Sequence, residues 1–163
     1  MCIRDRPLLL LSGRRTTEIC NGHSTFAPTE RRTVCMFTGQ VKKRGAVGAY
    51  AVPLLCDYAT FRDALGVLRA KQGGERLEPV ACNNRYQKML NAATPRLLPF
   101  ARHAHALRAV YAAFAFHLYA CDVTFNRATM RILGHERLDL SLSYNAVVLH
   151  DVGLPAGCYG PLP

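Results

Sequence analysis

Apolar residues recur every three or four positions in several stretches of the chain, which is the spacing of one face of an α-helix. The clearest case is 58–71, where Phe61, Leu65 and Leu68 form such a face before the glycines at 73 and 74. The stretch 103–120 has an almost wholly apolar body, as expected for a buried central helix. The predicted helices are 7–20, 58–71, 84–93 (ending before Pro95), 103–120, 125–133 and 141–149.

Two stretches rich in β-branched and aromatic residues, 32–38 and 49–55, predict a pair of strands. The polar, glycine-rich segment between them carries Lys42, Lys43 and Arg44, which predicts a β-hairpin with a basic tip. One hairpin among about six helices indicates a mostly helical α/β domain with one small antiparallel sheet.

The length and composition are those of a single globular domain. The chain has 163 residues and a mass of 18.0 kDa, 50% of its residues are hydrophobic, and its mean hydropathy is +0.01. This composition excludes the disordered and collagen-like classes. Residues 1–6 match no pattern in the rest of the chain, so we interpret 7–163 as one domain of a longer protein and 1–6 as not native to it.

The charge balance is strongly basic and bears on the partner. The chain has 21 Lys and Arg residues against 11 Asp and Glu, a formal net charge of +10. A compact surface with that excess attracts polyanions, so nucleic acid is the leading partner class. Charge alone leaves open a basic protein without a nucleic-acid role.

The cysteines and the apolar runs indicate the compartment. Seven cysteines are scattered without a C-x-x-C pair, so they predict neither a disulfide framework nor a thiolate zinc site, and they favour the reducing cytoplasm. The longest apolar runs, 7–11 and 109–116, are shorter than the ~20 residues that a membrane span requires. We therefore expect no membrane partner.

Two arginines in the sequence suit the binding of a phosphodiester. The sequence contains no G-x-x-x-x-G-K-[ST], H-E-x-x-H, G-x-G-x-x-G or G-x-S-x-G motif, so we expect chemistry without a metal ion or cofactor. A phosphate under attack spreads negative charge over its non-bridging oxygens, which guanidinium groups hold in pairs. Arg15 and Arg108 are the candidates for this role, although each alone also fits a structural or solvated arginine.

The same reaction needs a nucleophile and a proton donor. A tyrosine hydroxyl has a free pKa near ~10, so it attacks only where cations and hydrogen-bonding groups favour its deprotonation. Tyr144, nine residues after His135, is the candidate nucleophile. The leaving 5′-oxygen must be protonated, and a lysine on a hairpin tip suits that role. Lys42 is favoured over Lys43 as this general acid.

Several segments resemble motifs of the tyrosine recombinases and, more closely, of the telomere resolvases (protelomerases). Ser12-Gly-Arg-Arg-Thr-Thr-Glu18 is similar to the Thr-Gly-x-Arg-x-x-Glu motif, and the hairpin at 37–55 is similar to the catalytic hairpin. His105-Ala-Leu-Arg108 resembles the His/Lys-x-x-Arg box, and Leu133-Gly-His135 resembles the Leu-Gly-His box. Tyr144 lies at the spacing of the family's nucleophile, and the resemblance extends over about 7–151.

The resemblance implies DNA cleavage and rejoining through a 3′-phosphotyrosyl intermediate, without a metal ion or ATP. It implies a homodimer on palindromic double-stranded DNA, covalently closed hairpin ends as the product, and the cytoplasm of a bacterial or phage-infected cell. The implied catalytic residues are Arg15, Lys42, His105, Arg108, His135 and Tyr144, and further expected DNA contacts are Arg14, Lys43, Arg44 and Arg131. The alternatives are an integrase that joins two duplexes and a catalytically inactive DNA-binding module. An RNA-binding domain is disfavoured.

Overall fold

The computed structural model of the protein describes residues 5–41, 48–72, 77–135, 147, 149–150 and 153–163. The hairpin tip with Lys42, Lys43 and Arg44 lies outside the described residues, as do Tyr144 and the rest of 141–146 and 148 from the helix predicted at 141–149. The helices and strands are α1 (Asp5–Ser12), α2 (Thr16–Cys20), β1 (Thr25–Pro28), β2 (Val34–Thr38), β3 (Tyr50–Pro53), α3 (Tyr58–Lys71), α4 (Pro79–Leu97), α5 (Ala106–Leu118) and α6 (Phe125–Leu133). The predicted fold class, mostly helical with one small antiparallel sheet, is confirmed.

The predicted helix at 7–20 is two helices, separated at Gly13. Gly13 has a φ of +63°, a left-handed conformation that glycine adopts without strain and that interrupts the helix. Its missing side chain leaves room for the ring of Tyr111, which packs directly against it. The break places Arg14 and Arg15 in a short non-helical segment between α1 and α2.

The sheet has three antiparallel strands in the order β1-β2-β3. The predicted hairpin forms β2 and β3, in register with Phe37 opposite Tyr50. The prediction missed β1, in which Thr25 pairs with Thr38 and Pro28 with Cys35. This strand is only four residues long and mostly exposed, so it has no apolar alternation to reveal it.

Two predicted helix boundaries were wrong. The helix α4 is longer than the predicted 84–93, because it begins at Pro79 and continues through Pro95. A row of buried side chains, Cys82, Tyr86 and Leu90, packs it against the core, and with Thr94 the buried face continues past the predicted helix at both ends. The helix α5 is shorter than the predicted 103–120, because 103–105 form a turn whose Ala106 N–H donates to the His103 carbonyl.

The helix α5 lies at the centre of the fold, as its apolar composition predicted. It packs against α1 and α6, and its Leu107, Val110, Tyr111 and Leu118 are buried. Its position brings the first turn of α5, the break at Gly13 and the end of α6 next to one another. No helix in the described part of the chain is long and apolar enough to cross a membrane.

Candidate active site

Arg15 stands at the N-terminus of α2 and is held there by a carboxylate one turn later. Its backbone N–H donates to Glu18 Oε2 at 2.9 Å, and its Nη1 donates to Glu18 Oε1 at 2.9 Å. The same Nη1 donates to the carbonyl of Val41 at 3.1 Å. These contacts fix the guanidinium between α2 and the start of the β2–β3 connection.

Glu18 is a fully buried carboxylate among cations, and sequence reasoning placed it only as a neighbour of Arg15. Besides Arg15, it accepts the backbone N–H of Val41 at 3.3 Å. Burial alone raises the pKa of a carboxyl group, but the guanidiniums of Arg14, Arg15 and Arg108 outweigh this and lower the pKa of Glu18. The Arg-x-x-Glu spacing was the sequence signal for this pair.

Arg108 connects three parts of the site from the first turn of α5. It is 2% exposed, and its Nη1 donates to the Gly13 carbonyl at 2.6 Å. Its Nη2 lies 3.5 Å from His135 Nε2. His135 follows Gly134, whose φ of +65° ends α6 and turns the chain toward Arg108. The structure thus brings Arg108 and His135 together, as the sequence predicted.

His135 is neutral at physiological pH. Burial lowers its pKa, and the charges of Arg108, Arg15 and Arg14 lower it further, as does His105, to about 4. A neutral imidazole has one nitrogen that accepts a hydrogen bond or a proton. His135 is therefore equipped to accept a hydrogen bond from a neighbouring guanidinium and to take part in proton transfer.

The burial of Arg14 contradicts its predicted contact with DNA. Its side chain is 1% exposed, and its guanidinium donates to the hydroxyl of Tyr50 and, at 2.5 Å, to the carbonyl of Ile132. The charge lies 5.2 Å from the ring centroid of Phe37. Arg14 therefore ties β3 to the end of α6 inside the protein, and its Nε, Nη1 and Nη2 each donate to a group of the protein, to Ser12, Tyr50 and Ile132.

A cavity of about 590 Å³ opens beside these groups, and four of the predicted site residues line it. They are Arg14, Arg15, His105 and Arg108, and the remaining wall includes Thr16, Thr17, His103 and a row of side chains from α4. His105 is exposed at the start of α5. Arg131 is exposed in the last turn of α6 and is not among the residues lining the cavity.

The described residues offer no obvious metal centre. Within the described ranges, no group of three or more His, Cys, Asp or Glu side chains is placed to hold a metal ion. The site's polar chemistry is instead that of guanidinium and imidazole groups around a cavity.

Sequence reasoning missed one further polar contact at the site, the Gln40 side chain, whose Nε2 donates to the Gly134 carbonyl at 2.9 Å.

Replacing Glu18 with glutamine should destabilise the protein. The change leaves Arg14, Arg15 and Arg108 facing one another without the buried negative charge between them, and removal of one partner of a buried ion pair costs about 3–5 kcal/mol. We expect the midpoint of denaturant unfolding to fall by a corresponding amount at pH 7. Asp63→Asn, which changes an exposed carboxylate, is the matched control and should leave the midpoint nearly unchanged.

The pH dependence separates charge from packing at Glu18. Because the folded-state pKa is lowered, this carboxylate stabilises the fold above its ordinary pKa of 4.5, and the contribution is lost as the pH falls below that value. The loss of stability from Glu18→Gln should therefore shrink in acid. An equal loss at pH 7 and at pH 3.5 would contradict a charge-based role.

Titration of His135 should have its midpoint at about pH 4. The unfolded chain protonates a histidine near pH ~6.5, so the folded state loses stability as the pH falls from that value toward 4. NMR of the histidine ring protons measures the midpoint, with His135→Gln identifying the resonance. Arg108→Gln should raise the midpoint by removing a neighbouring cation, whereas a wild-type midpoint near 6.5 would contradict the burial and charges described above.

Comparison with known proteins identifies the family of this domain. Its fold, together with the paired arginines and histidine, is that of the tyrosine-recombinase-like catalytic domains. The family model described as telomere resolvase ResT/TelK catalytic domain matches residues 6–146, and the chain belongs to this family. Comparison with the curated proteins finds no match.

Solved structures of protelomerases share the fold. Protelomerase TelA covalently complexed with substrate DNA is 25% identical, with a TM-score of 0.79 over 89% of this chain and 52% of that chain. An arginine-to-alanine variant of TelA complexed with DNA hairpin product is 24% identical, with a TM-score of 0.79 over 89% of this chain and 52% of that one. Protelomerase TelK complexed with substrate DNA is 22% identical, with a TM-score of 0.77 over 93% of this chain and 33% of that chain. The chain thus spans about half the length of TelA.

Proposed function

We propose that this domain cleaves and rejoins DNA through a 3′-phosphotyrosyl intermediate and closes each duplex end into a covalent hairpin. The observation that carries the proposal is that Arg15 and Arg108 line one cavity, with the neutral His135 against Arg108, in a domain of the telomere resolvase family. The net charge of +10 supports a polyanionic substrate.

The cavity suits a scissile phosphate because of the donors around it. Nη1 of Arg15 is bonded to Glu18 and Val41, and the rest of its guanidinium carries further N–H donors for phosphate oxygens. Arg108 lines the same cavity from the first turn of α5. Charge that develops on the non-bridging oxygens is stabilised by donors already held in place, which is the most effective form of electrostatic catalysis.

In the first step, the Tyr144 oxygen attacks phosphorus, a P–O bond to tyrosine forms and the bond to the 5′-oxygen breaks. The 5′-oxygen takes a proton from Lys42, with Lys43 the alternative donor, and His135 and His105 assist in transferring the tyrosine proton. In the second step, the 5′-hydroxyl of the opposite strand attacks the phosphotyrosine and releases Tyr144. Because the phosphotyrosine conserves the bond energy, the reaction requires no ATP.

The partner is double-stranded DNA with a palindromic site, bound by two copies of the protein, one for each cleaved strand. Lys43, Arg44 and Arg131 contribute phosphate contacts that hold the duplex. The proposed compartment is the cytoplasm of a bacterial or phage-infected cell. The six described cysteines, which are all free thiols, support a reducing environment.

A suicide-substrate assay tests this function. Nicked palindromic duplexes are incubated with the protein in EDTA, and denaturing gels with mass spectrometry detect covalent adducts. We expect an adduct at Tyr144 and, on intact duplexes, rapidly renaturing hairpin products. An adduct with strand exchange between duplexes indicates an integrase, and bound DNA without any adduct indicates an inactive DNA-binding module.

A further inference from the structure

One part of the cavity wall is a row of side chains from α4. Val80, Asn83, Gln87 and Asn91 follow one another at helical spacing and all line the cavity with Arg15 and Arg108. The adjoining row of α4, Cys82, Tyr86 and Leu90, is buried in the core. Because the core fixes the rotation of α4, the polar row is held toward the cavity.

Asn91 has a structural partner, whereas the pair before it offers hydrogen-bonding groups to a ligand. The Asn91 Oδ1 accepts the backbone N–H of Ala104, which ties α4 to the segment before His105. One turn earlier, Asn83 Nδ2 donates to Gln87 Oε1 at 2.7 Å. That bond orients both amides and leaves Asn83 with an acceptor, Oδ1, and Gln87 with a donor, Nε2.

This pattern matches the edge of an adenine in the DNA major groove. Adenine presents the N6 amino group as a donor and N7 as an acceptor, and an amide oxygen and an amide N–H of Asn or Gln complement these two atoms. Here the oxygen is offered by Asn83 and the N–H by Gln87. Val80 begins the same row, is 72% exposed, and presents an apolar surface of the kind that contacts the thymine methyl group. The row therefore carries groups for both bases of an A·T pair.

We propose that Asn83 and Gln87, with Val80, read an A·T base pair next to the cleaved phosphate. This inference rests on the proposed function only in placing duplex DNA at the cavity. Asn83 and Gln87 are specificity-determining residues in this assignment, and the transition-state contacts are left to Arg15 and Arg108. The consequence is that part of the sequence preference resides in this domain.

A selection by binding tests the assignment without requiring cleavage. The protein is mixed with a library of duplexes randomised around a central palindrome, and bound DNA is sequenced. We expect wild-type protein to enrich A·T at one position or two adjacent positions, and Asn83→Ala and Gln87→Ala each to reduce this preference about tenfold. Asn84→Ala is the matched control, because Asn84 is an exposed amide that does not line the cavity.

The outcomes separate base reading from other roles of these amides. Equal weakening of all sequences by Asn83→Ala and Gln87→Ala would assign the pair to phosphate contacts and overturn the proposal. An unchanged profile in both variants would also overturn it. The suicide-substrate assay on the same proteins reports separately on cleavage, so a wild-type protein that enriches A·T without forming an adduct would contradict the proposed function and not this inference.

Discussion

We expect Tyr144→Phe to abolish DNA cleavage and to leave DNA affinity nearly unchanged. The substitution removes the single oxygen that forms the phosphotyrosine bond, and phenylalanine has no atom to replace it. The measurement is the yield of covalent adduct on the nicked duplex, together with the dissociation constant from a binding titration at fixed salt. We expect no detectable adduct and a dissociation constant within a factor of about two of the wild-type value.

Four tyrosines in the described part of the chain supply the contrast. Burial raises the pKa of Tyr111, and that of Tyr119 to about 12, while their hydroxyls donate to backbone carbonyls of the protein. Burial also raises the pKa of Tyr50, whose hydroxyl is bonded to Arg14. These tyrosines are structural. Tyr58→Phe is the control, since the Tyr58 hydroxyl donates to the Phe26 carbonyl and Tyr58 does not line the cavity, so its adduct yield should equal that of wild type. Retained cleavage in Tyr144→Phe would refute the assignment of the nucleophile.

The elements that the sequence predicted well are those whose ends are marked locally. The helix α6 has the predicted bounds, 125–133, because Gly134 adopts a left-handed conformation that ends it. The helix α3 likewise matches 58–71. In both, the sequence places an apolar face and a following glycine within the same short segment, so local signals are enough to predict them.

The elements that were missed depend on contacts between distant parts of the chain. Gly13 breaks the first helix where Tyr111 packs against it, nearly a hundred residues away in sequence. The strand β1 exists because β2 supplies its hydrogen bonds, and α4 continues through Pro95 because its buried face packs on the core. Local propensity is a weak guide where tertiary packing decides.

The adjacent arginines show the same limit within the site. The sequence predicted that Arg15 lies at the site, and the structure places it beside the cavity with Glu18. It also predicted a DNA contact for Arg14, which is instead in the core. Neighbouring residues in an extended segment point to opposite sides, so one arginine faces inward. The inward-facing arginine is the one whose guanidinium meets Tyr50 and Ile132, which are distant in sequence.

Arg108→Ala should lower the rate of cleavage about 100- to 1,000-fold, the effect of removing one fixed donor from a transition state that gathers negative charge. Arg108 lines the cavity, touches His135 and is anchored by the Gly13 carbonyl, so its guanidinium is held in place before the substrate arrives. Single-turnover cleavage at saturating protein isolates this effect from DNA binding.

The structural role of Arg108 requires a control, because alanine also leaves the Gly13 carbonyl without its donor. Arg108→Lys keeps a positive charge and a donor but loses the planar fork that holds two oxygens, so it should retain the thermal midpoint of the wild type better than alanine while still cleaving slowly. Two results would assign Arg108 a structural role and not a contact with the transition state. One is a stable Arg108→Lys variant that cleaves at the wild-type rate, and the other is a fall in the cleavage rate of Arg108→Ala below about tenfold.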